Sequence, residues 1–312
     1  MPEVVLAIDV GGTKMALALV DDEGTVLAED VRPTLPETDP LRVVGPLLDG
    51  IAAIVTRLPA EAHGPLRVGI ASAGPLDVPS GTVSPVNIGA WRDFGLVEHV
   101  RRAAAEATGG RAVVGLAGDG HCFALGEHWL GAGRDVSSMV GVVVSTGVGA
   151  GAVLDGELFG GLTGNAVHTG HISVNAWGPR CVCGGHGCVE MYARGPAMVA
   201  AAKQRGWAGG DDARALTADA RNGDPVALEV IDQGMRALAA GLATTATELD
   251  VTTFVLGGGV SRAGDVIFEP LRRHLADFAV LPYVLDLEVR PAVLDNAGLL
   301  GAAALALTLD VA

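Results

Sequence analysis

Residues 4–24 read VVLAIDVGGTKMALALVDDEG: an apolar run from Val4 to Ile8, a turn from Asp9 to Lys14, a second apolar run from Met15 to Val20, and a polar stop at Asp21-Asp22-Glu23-Gly24. Apolar runs this short, bounded by turn residues, read as buried strands, with the glycines between them turning the chain back on itself. The same grammar returns at 140–156, VGVVVSTGVGAGAVLDG, as strand Val140 to Val144, glycine turn Ser145 to Gly151, strand Ala152 to Leu154 and a stop at Asp155-Gly156. The repeat sets Gly11 on Gly147 and reads as a weak internal duplication. Two hairpins of one design, each opening half of the molecule, predict an α/β fold with twin domains.

Outward from the hairpins, Leu41 to Leu58 has helical spacing, Arg67 to Ala71 is a strand, Gly95 to Ala107 an amphipathic helix and Ala112 to Leu116 a strand. After the second hairpin, Met191 to Arg205 reads as helical. Asp224-Pro225 supplies an N-cap and a first-turn proline for a long helix to about Leu249. Val251 to Leu256 is a buried strand that runs into Gly257-Gly258-Gly259-Val260-Ser261, a junction that lets backbone approach a ligand. The final helix, Gly298 to Leu309, is rich in Ala and Leu and nearly uncharged, so it must pack on something, and the first domain is the expected place.

Composition narrows the function. The chain has 312 residues, 49% hydrophobic, enough for two domains of about 100 to 200 residues each. Its net charge of -15 repels polyanions, which argues against nucleic acid or an anionic membrane as partner. The start, Met1-Pro2-Glu3, lacks a basic segment, and Asp9 interrupts the first apolar stretch, so no targeting signal is expected. The longest apolar stretch, Met139 to Leu154, carries Ser145, Thr146 and glycines and is no membrane span. Three of the four cysteines fall between Cys181 and Cys188, too tight for a disulfide framework but suited to metal in a reducing compartment, the cytoplasm.

The first turn gathers an acid (Asp9), two glycines (Gly11, Gly12), a hydroxyl (Thr13) and Lys14, one of only two lysines in the chain. Triphosphate binding uses all of these: close backbone approach, an acid near a metal ion, a cation for phosphate. The second turn, with Ser145, Thr146, Gly147 and Gly149, contains a G-x-G-x-G string. A strand follows it rather than a helix, against a Rossmann fingerprint, and no G-K-[ST] occurs, against a P-loop. Two glycine hairpins and the later Gly257-Gly258-Gly259 loop fit a nucleotide clamped between domains. His171 with Cys181, Cys183 and Cys188 offers one imidazole and three thiolates, a closed tetrahedral zinc set of the structural kind.

Over nearly its whole length the chain resembles the ROK family (repressors, open reading frames and sugar kinases) of the actin-like ATPase superfamily. The residues that carry the resemblance are Asp9 to Lys14, Ser145 to Gly151, Gly257 to Ser261, Ala71 to Asp77, Asn87 with Trp91, Ala117 to Glu127, and Gly170-His171 with Cys181 to Glu190. It implies two ribonuclease-H-like (actin-like) domains, 1–117 with 297–312 and 118–296, around a nucleotide and sugar cleft. It further implies hinges near 117–119 and Asn296, a homodimer or tetramer, and ATP-dependent phosphorylation of a hexose-type primary hydroxyl with Mg2+ and a structural Zn2+. Asp119 becomes the catalytic base, and Gly74, Asn87, Gly118, Asp119, His168, His171 and Glu190 the sugar-facing residues. Related kinases usually carry asparagine before the catalytic aspartate and glutamate three residues before the zinc histidine. Gly118 and His168 stand there instead.

Those two departures remove polar contacts to the sugar ring and point to a substrate altered near carbons two or three, such as an amino sugar like kanosamine or a valiolone-type cyclitol. Glucose or an N-acylhexosamine remains the alternative. A regulator of the same family would need a DNA-binding module ahead of Asp9, and a scaffold would not need Asp119. His121 and Cys122, which replace the usual Asn and Ala, receive no role, and His186 is a spare imidazole beside the metal set.

Overall fold

The computed structural model describes residues 3–59 and 64–311; Met1 and Pro2, which open the segment read for a targeting signal, lie outside them. The first half contains β1 (Val4–Val10), β2 (Lys14–Asp21), β3 (Val26–Pro33), α1 (Pro40–Val55), β4 (Leu66–Ser72), the short β5 (Leu76–Asp77) and β6 (Thr82–Val83), α2 (Leu96–Thr108) and β7 (Ala112–Gly118). The second continues with α3 (Asp119–Trp129), β8 (Met139–Val144), β9 (Val148–Leu154), β10 (Glu157–Phe159), α4 (Glu190–Ala193), α5 (Gly195–Gln204) and α6 (Ala213–Arg221). It closes with α7 (Pro225–Leu249), β11 (Thr253–Gly257), α8 (Asp265–Phe278), β12 (Glu288–Pro291) and α9 (Ala297–Leu307).

The duplication is topological. The two 5-stranded sheets run β3-β2-β1-β4-β7 and β10-β9-β8-β11-β12, the same path through both halves. In each, the three strands from the hairpin side pair antiparallel and the remaining two join in parallel. This is the expected actin-like α/β architecture. The register differs from the sequence reading: β1 ends at Val10 and β8 at Val144, so Gly11 corresponds to Ser145 rather than Gly147.

The second turn is also shorter than read, because β9 already begins at Val148. Gly151 lies in that strand for a packing reason: a Cβ there would sit 2.4 Å from the His121 Cα, so the missing side chain lets α3 lie on the sheet. The helix read over Met191 to Arg205 is two helices. Arg194 is extended (ψ 147) between them, and Pro196 sits in the first turn of α5, where its missing N–H costs nothing. The cap read at Asp224 falls as expected. Asp224 accepts from the Ala227 N–H at 2.8 Å to start α7, a contact worth about 1 kcal/mol.

One apolar core lies under the second sheet around Phe254, Leu238 and Leu256, and another under the first around Ile8, Leu47 and Trp91. Between them α9 rests on β1, β4 and β7 while α3 rests on β8 and β9, and the two helices pack on each other. Their approach is close enough that a Cβ at Gly301 would lie 1.6 Å from the Cys122 carbonyl oxygen. The last helix thus packs on the first sheet and also joins it to the second. Glu127, fully buried at the far end of α3, fastens this layer: its carboxylate accepts from the N–H groups of Ala132 (2.9 Å), Val293 (3.1 Å) and Leu294 (2.9 Å).

Candidate active site

The site is built where the parallel strands of the first sheet end. The register places Asp9 beside Ala71 and Ser72 beside Gly118, so the ends of β1, β4 and β7 meet on one edge, the place where open α/β sheets bind ligands. Strand β7 passes straight into α3 through Gly118 (φ -64, ψ 152), which makes Asp119 the first residue of the helix. The Asp119 carboxylate accepts the Gly120 N–H at 2.7 Å. It opens onto solvent in the cleft, yet the protein packed around it pushes its pKa above the ordinary carboxylate value, with the Gly120 N–H and His168 pulling the other way.

Asp9 lies close enough to feel that charge. Burial first, then Asp119, raises Asp9 from 3.8 to about 6, and Lys14 offsets part of the rise. The sign follows from linkage. A carboxyl that binds its proton more tightly in the folded state costs the fold stability as pH rises from about 3.8 to about 6, and carries that cost in full, ionised, above it. Chemistry that needs Asp9 ionised loses rate over the same interval. The expected result is an acid limb near pH 6 in kcat/KM, together with a higher Tm at pH 8 for Asp9→Asn, which loses activity; pH-rate profiles and thermal melts check both.

The first turn is closed by the Gly11 N–H donating to the Lys14 carbonyl at 3.0 Å. It is braced from outside by Thr34, whose hydroxyl donates to the Gly11 carbonyl at 2.7 Å and whose N–H donates to the Thr13 carbonyl at 3.1 Å. Thr13 and Lys14 are exposed at its tip. Asn87 sits directly on it, with Nδ2 2.9 Å from where a Cβ of Gly12 would be.

Across the cleft, the second turn is held by several elements at once. The Ser145 N–H donates to the Gly147 carbonyl (2.9 Å) and the Gly195 N–H to the Ser145 carbonyl (2.9 Å). Buried Glu190 accepts the Val148 N–H at 3.1 Å, its Oε2 lying 2.9 Å from a Cβ position at Gly147. The glycine loop after β11 lies alongside: the Val260 N–H donates to the Val144 carbonyl at 3.1 Å, and a Cβ at Gly259 would sit 3.6 Å from the Ser145 Oγ. Gly258 has φ 93, whereas Gly257 is buried against Phe123. Gly149 projects into open space from β9, and Thr146 is exposed.

Of the residues expected to face a sugar, His168 and Gly74 meet from the two halves, whereas Asn87 lies on the first turn and Glu190 on the second. His168 Cε1 lies 3.8 Å from a Cβ position at Gly74, and Asn165 ties the same two segments by accepting the Leu76 N–H at 3.0 Å and donating to the Leu76 carbonyl at 2.6 Å. Burial, then the nearby His171, lowers the His168 pKa, with Asp119 opposing, so His168 is the more readily neutral. His121 is buried, its ring within hydrogen-bonding reach of the Phe159 backbone. Its Nε2 has no partner among the described residues, and its Nδ1 lies 2.7 Å from a Cβ position at Gly118, filling the space that residue leaves. Burial, then His168, pushes it down to about 4, a neutral ring at physiological pH. Cys122 is buried with its thiol pKa raised and serves the helix contact described above.

His171, Cys181, Cys183 and Cys188 present their ligand atoms within 4.8 Å of one another. The Cys183 and Cys188 sulfurs are 3.6 Å apart, and Cys181 Sγ is 3.7 Å from His171 Nδ1. Those separations are far beyond a disulfide of about 2.05 Å. They match the edges of a tetrahedron of about 2.3 Å metal–sulfur bonds, so the residues fit zinc. The Gly185 N–H donates to the Cys183 sulfur at 3.4 Å, as a thiolate requires, and Gly184 (φ 95) and Gly187 (φ 61) supply the tight turns. His186 faces the Gly178 carbonyl instead.

Two neighbouring acids, two glycine-containing backbone turns, a lysine and polar side chains from both halves suit transfer of an anionic group to a small polyhydroxylic acceptor. The sequence reading missed Thr34 and Asn165, and it quoted Glu127 as the end of the Ala117 to Glu127 stretch without the backbone N–H groups its carboxylate holds. Only the last carried a signal, an acid two residues after the apolar run Phe123-Ala124-Leu125.

Comparison with known proteins agrees. A sequence model described as the ROK family matches residues 5–309. The chain is 33% identical over 322 residues to a glucokinase of Thermotoga maritima, covering 98% of each. It is 35% identical over 311 residues to an N-acetylmannosamine kinase of Shigella flexneri, covering 97% of this chain and 98% of that one. Its fold superposes with a TM-score of 0.76, at 32% identity and over 96% of this chain and 98% of the other, on a ROK family glucokinase from Streptomyces griseus crystallised with glucose and AMPPNP.

Proposed function

The chain belongs to the ROK family and is a sugar kinase of it, and from that premise we propose that it transfers the γ-phosphoryl group of ATP to the exocyclic primary hydroxyl of a hexose or hexose analogue. The observation that carries this reading is Asp119: a carboxylate at the mouth of α3, near Asp9, which itself feels Lys14, on one side and near His168 on the other. Asp119 orients the acceptor hydroxyl and takes its proton as the new O–P bond forms and the bond from the γ-phosphorus to the leaving ADP oxygen breaks. The raised pKa makes it a better proton acceptor than an ordinary carboxylate.

The turns at Gly11 to Lys14 and Ser145 to Gly147, with Gly258 and Gly259, would hold the nucleotide, and Asp9 would hold Mg2+, which supplies charge neutralisation at the phosphates. Zinc at His171, Cys181, Cys183 and Cys188 would order the loop that carries His168 and Glu190; with four protein ligands it leaves no position for a reacting group. Closure of the lobes 1–117 with 297–312 on 118–296, about segments near 117–119 and 296, would exclude water from the transfer. Among the described residues no helix is long and apolar enough to cross a membrane. The reduced thiol cluster favours the cytoplasm, and the family a homodimer or tetramer.

A modified ring, such as an amino sugar of the kanosamine type or a valiolone-type cyclitol, is the substrate class we favour. Gly118 offers no side chain to a ring substituent, and His168, its pKa lowered and with the buried His121 ring behind Gly118, can donate or accept where a carboxylate would only accept. The test is ADP release with Mg-ATP over glucose, mannose, N-acetylmannosamine, glucosamine, kanosamine and valiolone. Turnover selective for the amino sugar or cyclitol is expected. Efficient turnover of glucose or N-acetylmannosamine alone would assign an ordinary ROK substrate, and no turnover with any sugar would contradict the kinase.

A further inference from the structure

Arg194 is the cation the reading above leaves unused. It stands at the extended junction between α4 and α5, its side chain about one quarter exposed, and among the described residues its guanidinium makes no hydrogen bond. Its Nε is sealed from solvent without a partner. Its one charged neighbour is Glu190, at 3.9 Å through Oε1, too long for a hydrogen bond. The other oxygen of that carboxylate holds the Val148 N–H at 3.1 Å and lies against Gly147. The guanidinium therefore sits one carboxylate's width from the second turn. The next residue, Gly195, donates its N–H to the Ser145 carbonyl in that same turn.

Leaving an arginine half-buried with unmet donors is costly unless something supplies acceptors. A glutamate already committed to a backbone N–H supplies little. Arginine's planar fork of donors matches phosphate oxygens, and a chain of net charge -15 needs local cations to hold a polyanionic nucleotide. On the other side of the cleft Lys14 is such a cation; on this side Arg194 is.

We infer that Arg194 is a phosphate-binding residue of the second turn, its guanidinium donating to the polyphosphate of the bound nucleotide opposite Lys14. The inference rests on the nucleotide reading of the two turns. It makes affinity at this position depend on phosphate charge and not on the adenosine or the sugar.

Calorimetric titration of Mg-ATP, Mg-ADP and adenosine into wild type, Arg194→Met and Arg194→Lys tests it, with circular dichroism confirming that each variant is folded. Loss of charge-assisted hydrogen bonds predicts Mg-ATP binding weaker by about 10- to 100-fold in Arg194→Met, with adenosine affinity unchanged and a partial recovery in Arg194→Lys. If Arg194→Met does not fold, the lysine variant decides, through a loss for ATP that adenosine does not share. Equal losses for ATP and adenosine, no loss at all, or a change confined to the KM for sugar would overturn the inference; the last would make Arg194 a support for Glu190. A wild-type protein that binds no Mg-ATP would overturn the proposed function itself and this inference with it.

Discussion

Asp119→Asn is expected to lower kcat by about 10²- to 10⁴-fold while leaving the KM for ATP and sugar nearly unchanged. The asparagine keeps the size of the side chain and its place at the start of α3, where Gly118 and the Gly120 N–H fix it, but it cannot take the hydroxyl proton. A group that acts only as the reaction proceeds shows in kcat rather than in binding. Removal of the charge should also lower the pKa of Asp9 from its raised value, because Asp119 is the second cause of that rise. Steady-state kinetics and a carboxyl-resolved NMR titration read the two effects independently. A variant with wild-type kcat would remove Asp119 from the chemistry.

The second large effect is expected from the metal cluster. One zinc per chain should be found, and Cys188→Ser or chelation should lower the Tm by roughly 5 to 10 °C, corresponding to about 3 kcal/mol in a domain of this size. The loss should also raise the KM for sugar. Cys188 is two residues before Glu190, whose carboxylate holds the second turn through Val148, and the His171 ring lies 6.0 Å from that of His168. Loosening the four ligands therefore disturbs the surroundings of His168 and the second turn together. Zinc content by elemental analysis, thermal melts and sugar KM check this, and a folded, zinc-free protein of unchanged Tm would contradict it.

Much of this was legible in the sequence because strands and turns write themselves locally. The two hairpins, the Asp224-Pro225 start of α7 and the Cys-rich metal set each rest on neighbouring residues, whose periodicity, caps and spacing are readable without the rest of the chain. Resemblance to the ROK family added Asp119 and the sugar-facing residues, which spacing alone leaves ambiguous. What stayed hidden depends on contacts between distant segments. Gly151 reads as a turn glycine, yet it sits in a strand because His121 packs over it. Arg194 breaks what looks like one helix, and its loose contact with Glu190 appears only once both are placed beside the second turn. His121 passes for a satisfied core histidine until its Nε2 is seen to lack a partner.

The central claim, phosphoryl transfer to an exocyclic primary hydroxyl, is tested most directly by a phosphorus–proton correlation spectrum of the product formed from Mg-ATP and the sugar turned over fastest. The phosphorus is predicted to couple to the two protons of the exocyclic methylene, with ADP formed in equal amount and neither product appearing with Asp119→Asn. Coupling to a ring proton, or ADP released with inorganic phosphate and no sugar phosphate, would contradict it.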